Sequence, residues 1–108
     1  MKATNKKNKK QSMLIYVDID GTICETDNSD YVNSQPIQKN INKINKLFDE
    51  GHTIIYWTAR GQSTGLNWAE LTLKQLKEWG CKFHNVSIRE KPMYDMLIDD
   101  KAKRIEEV

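Results

Sequence analysis

At 108 residues the chain is sized for one domain with a modest core, and it leaves little room for a separate substrate-binding domain. Its net charge of +2 belongs to one end: Lys2, Lys6, Lys7, Lys9 and Lys10 fall in the first twelve residues, and without them 12 basic groups face 15 acidic ones. No apolar stretch nears the length that spans a bilayer, and no apolar core follows the basic start, so it does not read as a secretory signal.

Residues 1–12 are polar, rich in Lys and Asn and without periodicity, which predicts a disordered tail ahead of a single domain over 13–108. Such a tail offers contacts to nucleic acid or anionic lipid. Five lysines without aromatics nevertheless read first as a solvated extension. The apolar run 13–17 then opens a strand over 13–19 that delivers Asp18, Asp20, Gly21 and Thr22. Side chains two apart on a strand project to the same side, so both carboxylates reach one ligand beyond its end. The glycine permits a sharp turn and close approach of backbone amides to an anion. Paired carboxylates beside anion-binding backbone suit metal-assisted phosphoryl transfer; the plainer reading is an acidic strand-to-loop turn.

A polar loop over 21–35 follows, in which 26–33 reads as a small flap. Pro36 suits the first turn of a helix whose apolar stripe is Ile37, Ile41, Ile44, Leu47 and Phe48, with Gly51 as its stop. The β-branched and aromatic run 53–57 predicts a buried parallel strand ending at Thr58-Ala59-Arg60-Gly61. A second helix is expected over 66–79, with Ala69, Leu73, Leu76 and Trp79 on its packed face and Gly80 as its stop. Strands over 82–87 and 96–98 and a short helix over 101–108 complete the reading, an α/β domain with a mainly parallel sheet. Only residues 88–95 join the last two strands, short for a parallel crossover. That predicts a thinly covered sheet face and a homo-oligomer. Cys24 and Cys81 make no disulfide framework, and reduced thiols suit a cytoplasmic protein. Cys24 reads as a small loop residue. Without Cys/His ligand spacing, His52 and His84 make no zinc site.

Ligands of open parallel sheets bind outside the carboxyl ends of the strands. Asp18 and Asp20, Thr58, and Asp99 and Asp100 all end predicted strands, and Lys91 comes just before the last one. Their chemistry is complementary: carboxylates for Mg²⁺, a hydroxyl and an ammonium for phosphate. Taken alone, Thr58 is a turn cap, Lys91 a surface lysine and Asp99-Asp100 a helix cap. Together and in this order, Asp-x-Asp-Gly-Thr, then Thr, Lys and Asp-Asp, they resemble the haloacid dehalogenase superfamily of phosphohydrolases over nearly the whole of 13–102. Trp57-Thr58-Ala59-Arg60-Gly61 and the segment from Lys91 to Ala102 resemble, more narrowly, small capless phosphatases of capsule and surface-polysaccharide synthesis.

The resemblance implies a small Rossmann-like parallel sheet of about four strands flanked by helices, without a cap domain. Asp18 would be the nucleophile forming an aspartyl-phosphate, and Asp20 the acid and base. Superfamily members that keep their phospho-enzyme lack the carboxylate at this second position, so Asp20 favours hydrolysis. Mg²⁺ would be held by Asp18, the backbone carbonyl of Asp20, and Asp99 with Asp100 behind it or in its place. Thr58 and Lys91 would hold the phosphoryl oxygens. Thr22, Arg60, Ser63, Thr64, Trp68 and Thr72 are substrate-contact candidates, as are Arg89 and Tyr94 beside Lys91. Arg60 in particular is suited to a second anionic group. The expected substrate is a small phosphorylated metabolite such as a sugar phosphate. The alternatives are a phosphatase of nucleic-acid ends and a non-catalytic module that binds phosphate or a partner.

Overall fold

A computed structural model describes residues 12–61, 64–88, 96–98 and 105–108. The apolar runs form strands β1 (Leu14–Asp18), β4 (Thr53–Thr58), β5 (Asn85–Ile88) and β6 (Met96–Ile98). They pair in the order β5-β4-β1-β6, all parallel, as a small Rossmann-like α/β fold. Two short strands, β2 (Cys24–Glu25) and β3 (Gln35–Pro36), pair antiparallel beside the sheet. Helices α1 (Gln38–Asp49) and α2 (Ala69–Glu78) follow β3 and β4.

One face of the sheet carries the core. Ile15, Val17, Ile54, Tyr56 and Ile98 alternate inward and pack with Ile41 and Ile44 of α1, Leu76 of α2 and Ile105. Tyr16, Ile55 and Leu97 on the opposite face are half-buried, so this face is covered less completely. Asn45 joins the two helical units: its amide donates to the Gly80 carbonyl at 2.9 Å and accepts from the Lys82 N–H at 2.8 Å. His52 and His84 act alike at strand starts, each ring Nδ1 accepting a backbone N–H, from Met13 and Ile54 respectively.

Several expectations shift by a few residues. Pro36 lies in β3 rather than in the first turn of α1, because residues 24–36 fold back into the β2–β3 pair before the helix begins at Gln38. The helix α2 starts three residues later than expected. The stretch 64–68 instead packs as a turn against Gly61, whose carbonyl accepts the Gly65 N–H at 2.7 Å. Its buried face is Thr72, Gln75 and Leu76, while Leu73 is exposed. The third large strand begins at Asn85 rather than at residue 82. At the chain's end, the described part of the predicted helix is a single 3-10 turn, Ile105–Glu107. The tail 1–11 and the β5–β6 connection 89–95 lie outside the described residues. Among those described, no helix is long and apolar enough to cross a membrane.

Candidate functional site

The chain runs from β1 to β4 to β5 in one direction and then places β6 on the other side of β1. Strand order therefore reverses between β1 and β6, where open α/β sheets bind ligands at their carboxyl ends. Asp18 ends β1, and Val17 pairs with Ile98, the last residue of β6. At Gly21 (φ 86°) the chain turns, its N–H donating to the Cys24 carbonyl at 2.9 Å, and this brings Asp20 back over the strand end. A cavity of about 360 Å³ opens there, lined by Asp18 and Asp20, by Trp57 and Ala59 from the end of β4, and by Thr26 and Ser29. Residues 26–33, expected as a small flap, form a loop closed at its base by β2 and β3.

The electrostatic centre is Arg60, which lines the cavity as expected of a substrate contact but spends its donors within the protein. It is 1 % exposed and grips Asp20 with two parallel bonds, Nε to Oδ2 at 3.0 Å and Nη2 to Oδ1 at 2.8 Å. Nη1 donates to Thr72 Oγ1 (3.2 Å) and Gln75 Oε1 (2.7 Å), and Nη2 also reaches Ser34 Oγ at 3.5 Å. All five guanidinium N–H groups thus have acceptors, and the Tyr31 ring lies 4.7 Å from the guanidinium carbon. This accounts for the polar buried face of α2. Thr72 and Gln75 point inward because a buried cation needs their oxygens, so Thr72 serves Arg60 rather than the mouth of the site.

Asp20 accepts further bonds from Thr26 Oγ1 at 2.6 Å, Cys24 Sγ at 3.5 Å and Thr58 Oγ1 at 3.5 Å. Burial pushes its carboxyl up, but the hydrogen bonds from Arg60 and Thr26 and the charge of Arg60 outweigh this and hold it below its ordinary value. Asp20 is therefore a stable carboxylate in this structure. Burial, and then the charge of Asp20, pushes the neighbouring Cys24 thiol up to about 11, so it is a protonated packing group and no nucleophile.

Two other candidates are also revised. The Thr58 hydroxyl accepts the Arg60 N–H at 3.1 Å and is 1 % exposed; it caps the turn after β4 and touches Asp20 instead of lining the cavity. Thr22 is fully buried, and its hydroxyl has no hydrogen-bond partner among the described residues, so it does not face the cavity. Trp68 keeps its candidacy. It is half-buried beside Tyr31 (ring centroids 5.1 Å apart) and lines a second recess with Thr64. Lys91, Asp99 and Asp100 lie outside the described residues, as do Ser63, Arg89 and Tyr94.

Asp18 brings a carboxylate to the cavity, and backbone oxygens at the end of β1 are hard donors of the kind Mg²⁺ prefers. The Asp20 side chain, engaged by Arg60, leaves only its carbonyl for a metal. No group of three His, Cys, Asp or Glu comes together among the described residues. Asp18 and these carbonyl oxygens would supply part of a magnesium site.

Sequence reasoning passed over Tyr31, Ser34 and Gln75. Nothing local marks Ser34 or Gln75 as partners of an arginine 26 and 15 residues away. A usable signal was the placement of two polar residues, Thr72 and Gln75, three apart beside Leu76 on α2.

No protein-family model and no curated protein matches the chain. Among solved structures it is similar to the crystal structure of a structural-genomics target from Vibrio cholerae, at 21 % identity and a TM-score of 0.65, over 74 % of this chain and 72 % of that one. Likeness at this identity shows the fold alone, the small parallel α/β sheet flanked by helices.

Proposed function

We propose that the protein is a Mg²⁺-dependent phosphomonoesterase of the haloacid dehalogenase superfamily, acting through Asp18 on a small phosphorylated metabolite. One observation carries the reading. Asp18, the last residue of β1, and Asp20, two residues beyond it, line a cavity at the carboxyl edge of a parallel sheet, where its strand order reverses. Capsule or surface-polysaccharide synthesis as its setting rests on the resemblance of residues 57–61 and 91–102 alone.

In this reading a carboxylate oxygen of Asp18 attacks phosphorus, and the ester oxygen departs with the bonding electrons. Mg²⁺, held by Asp18, the Asp20 carbonyl and Asp99 or Asp100, would neutralise charge on the phosphoryl oxygens. Lys91 would add a cation there. Asp20, kept ionised by Arg60, is suited to take the proton from the water that cleaves the aspartyl-phosphate. Protonating the leaving oxygen requires Asp20 to carry a proton first, and hence to loosen the Arg60 fork. Esters of acidic leaving groups, which depart without a proton, should accordingly turn over fastest. The same saturated carboxylate is the observation favouring a second reading, a phosphate-binding module without turnover. Self-association remains part of the proposal, tested by whether light scattering gives 12.6 kDa or a multiple of it.

Turnover of a panel of phosphomonoesters with Mg²⁺ is the test. Asp18→Asn should lose at least about a thousandfold in kcat, with an unchanged unfolding midpoint, and chelation of the metal should abolish parent activity. Equal turnover in Asp18→Asn would refute the nucleophile. Phosphate binding without turnover would establish the second reading.

A further inference from the structure

Beside the main cavity lies a smaller recess of about 150 Å³, between the 26–33 loop and the turn that follows β4. Ser29 and Tyr31 line both, so the two are neighbours that share a wall. The remaining wall is Trp68 and Leu66, with the Thr64 hydroxyl at the same recess. Its aromatic rings are held in place. Tyr31 is packed by Arg60 on one side and by Trp68 edge to face, at 75°. Gly61 (φ 83°) lets the turn close: a Cβ there would collide with the Leu66 carbonyl and lie 3.0 Å from the Trp68 indole.

Ser29 is held in an unfavourable conformation. Asp30 N–H donates to the Asp27 carbonyl at 2.9 Å across Asn28 (φ 48°) and Ser29 (φ 65°), a two-residue turn with both central residues left-handed. Asn is well suited to the first of these positions and Gly to the second. A serine in the glycine position gives up backbone stability, and this serine stands on the wall shared by the two cavities.

We propose, building on the phosphatase reading, that this recess is the leaving-group subsite and selects a single hydroxylated ring, a monosaccharide phosphate, with Ser29 as a specificity-determining contact. A cavity of about 150 Å³ is enough for one six-membered ring. Aromatic walls pack against the C–H face of such a ring, and the Ser29 and Thr64 hydroxyls can both donate to and accept from its hydroxyl groups. An acyclic alcohol leaves the aromatic wall uncovered.

Ser29→Gly tests this without endangering the fold, since glycine relieves the turn. The unfolding midpoint should hold or rise. The ratio of kcat/KM for hexose phosphate over glycerol phosphate should fall about tenfold, the equivalent of one hydrogen bond. An unchanged ratio, or a parent preference for nucleoside monophosphates, would overturn the subsite. Calorimetric titration of Asp18→Asn protein in Mg²⁺ gives a readout independent of turnover. Hexose phosphate should bind about tenfold tighter than inorganic phosphate or glycerol phosphate, and Ser29→Gly should erase the difference. Equal binding of all three refutes the subsite, whatever the catalytic result. Selective, Ser29-dependent binding in a protein whose parent turns over no phosphoester would uphold the subsite and overturn the phosphatase reading.

Discussion

Replacing Arg60 by Met would remove the guanidinium and keep most of the side chain's volume. Arg60 is 1 % exposed and the Asp20 side chain 27 % exposed, so the loss leaves a largely buried carboxylate without its counter-ion. Breaking one partner from a buried pair costs about 3–5 kcal/mol, and the partial exposure of Asp20 puts this case at about 3. Gln75 and Thr72 also lose the donor that made their burial tolerable. Against a total of about 5–15 kcal/mol for a small domain this is severe, and it corresponds to a midpoint about 12–24 °C lower. The pH dependence is diagnostic. In the parent the Asp20 carboxyl lies below its ordinary value, so the stabilisation is complete above the unfolded-state value and is lost as pH falls through the folded-state value. In the variant, burial acts against weaker opposition and the carboxyl rises, so the two proteins should converge in stability below about pH 4. Urea unfolding followed by tryptophan fluorescence at several pH values reads both effects. A double-mutant cycle with Asp20→Asn should give a coupling of about 2 kcal/mol or more. A loss under about 1 kcal/mol at neutral pH, or a gap between the proteins that stays constant down to pH 3, would refute this account of the pair.

Thr22→Val should stabilise the fold by about 1–2 kcal/mol, because it removes a buried hydroxyl that has no partner and keeps the shape; thermal unfolding measures this, and a lower midpoint would show that the hydroxyl is engaged after all. Gly61→Ala should cost at least about 2 kcal/mol, since the left-handed backbone and the nearby Leu66 carbonyl both oppose a Cβ. Its tryptophan emission should also shift as Trp68 is displaced, and wild-type stability with unchanged emission would refute the close packing.

Local pattern carried much of the architecture. The β-branched and aromatic runs appear as β1, β4 and β6 nearly residue for residue, and the isoleucines at helical spacing became the buried stripe of α1. The acidic pair after β1 was legible as well, because a strand's end and a glycine turn suffice to bring two carboxylates to one place. Other features depended on distant partners. Arg60 faces Asp20 forty residues away and draws Thr72 and Gln75 inward against their polarity, while Leu73, apolar and at helical spacing, is left in solvent. Periodicity records what a residue prefers against water and does not record which ion it will meet. The sequence by itself therefore determined the strands, the helices and the sheet edge at which the two aspartates come together. Only the tertiary structure decided that Arg60 serves Asp20 rather than a ligand, since a buried charge goes wherever packing brings it a complete set of partners.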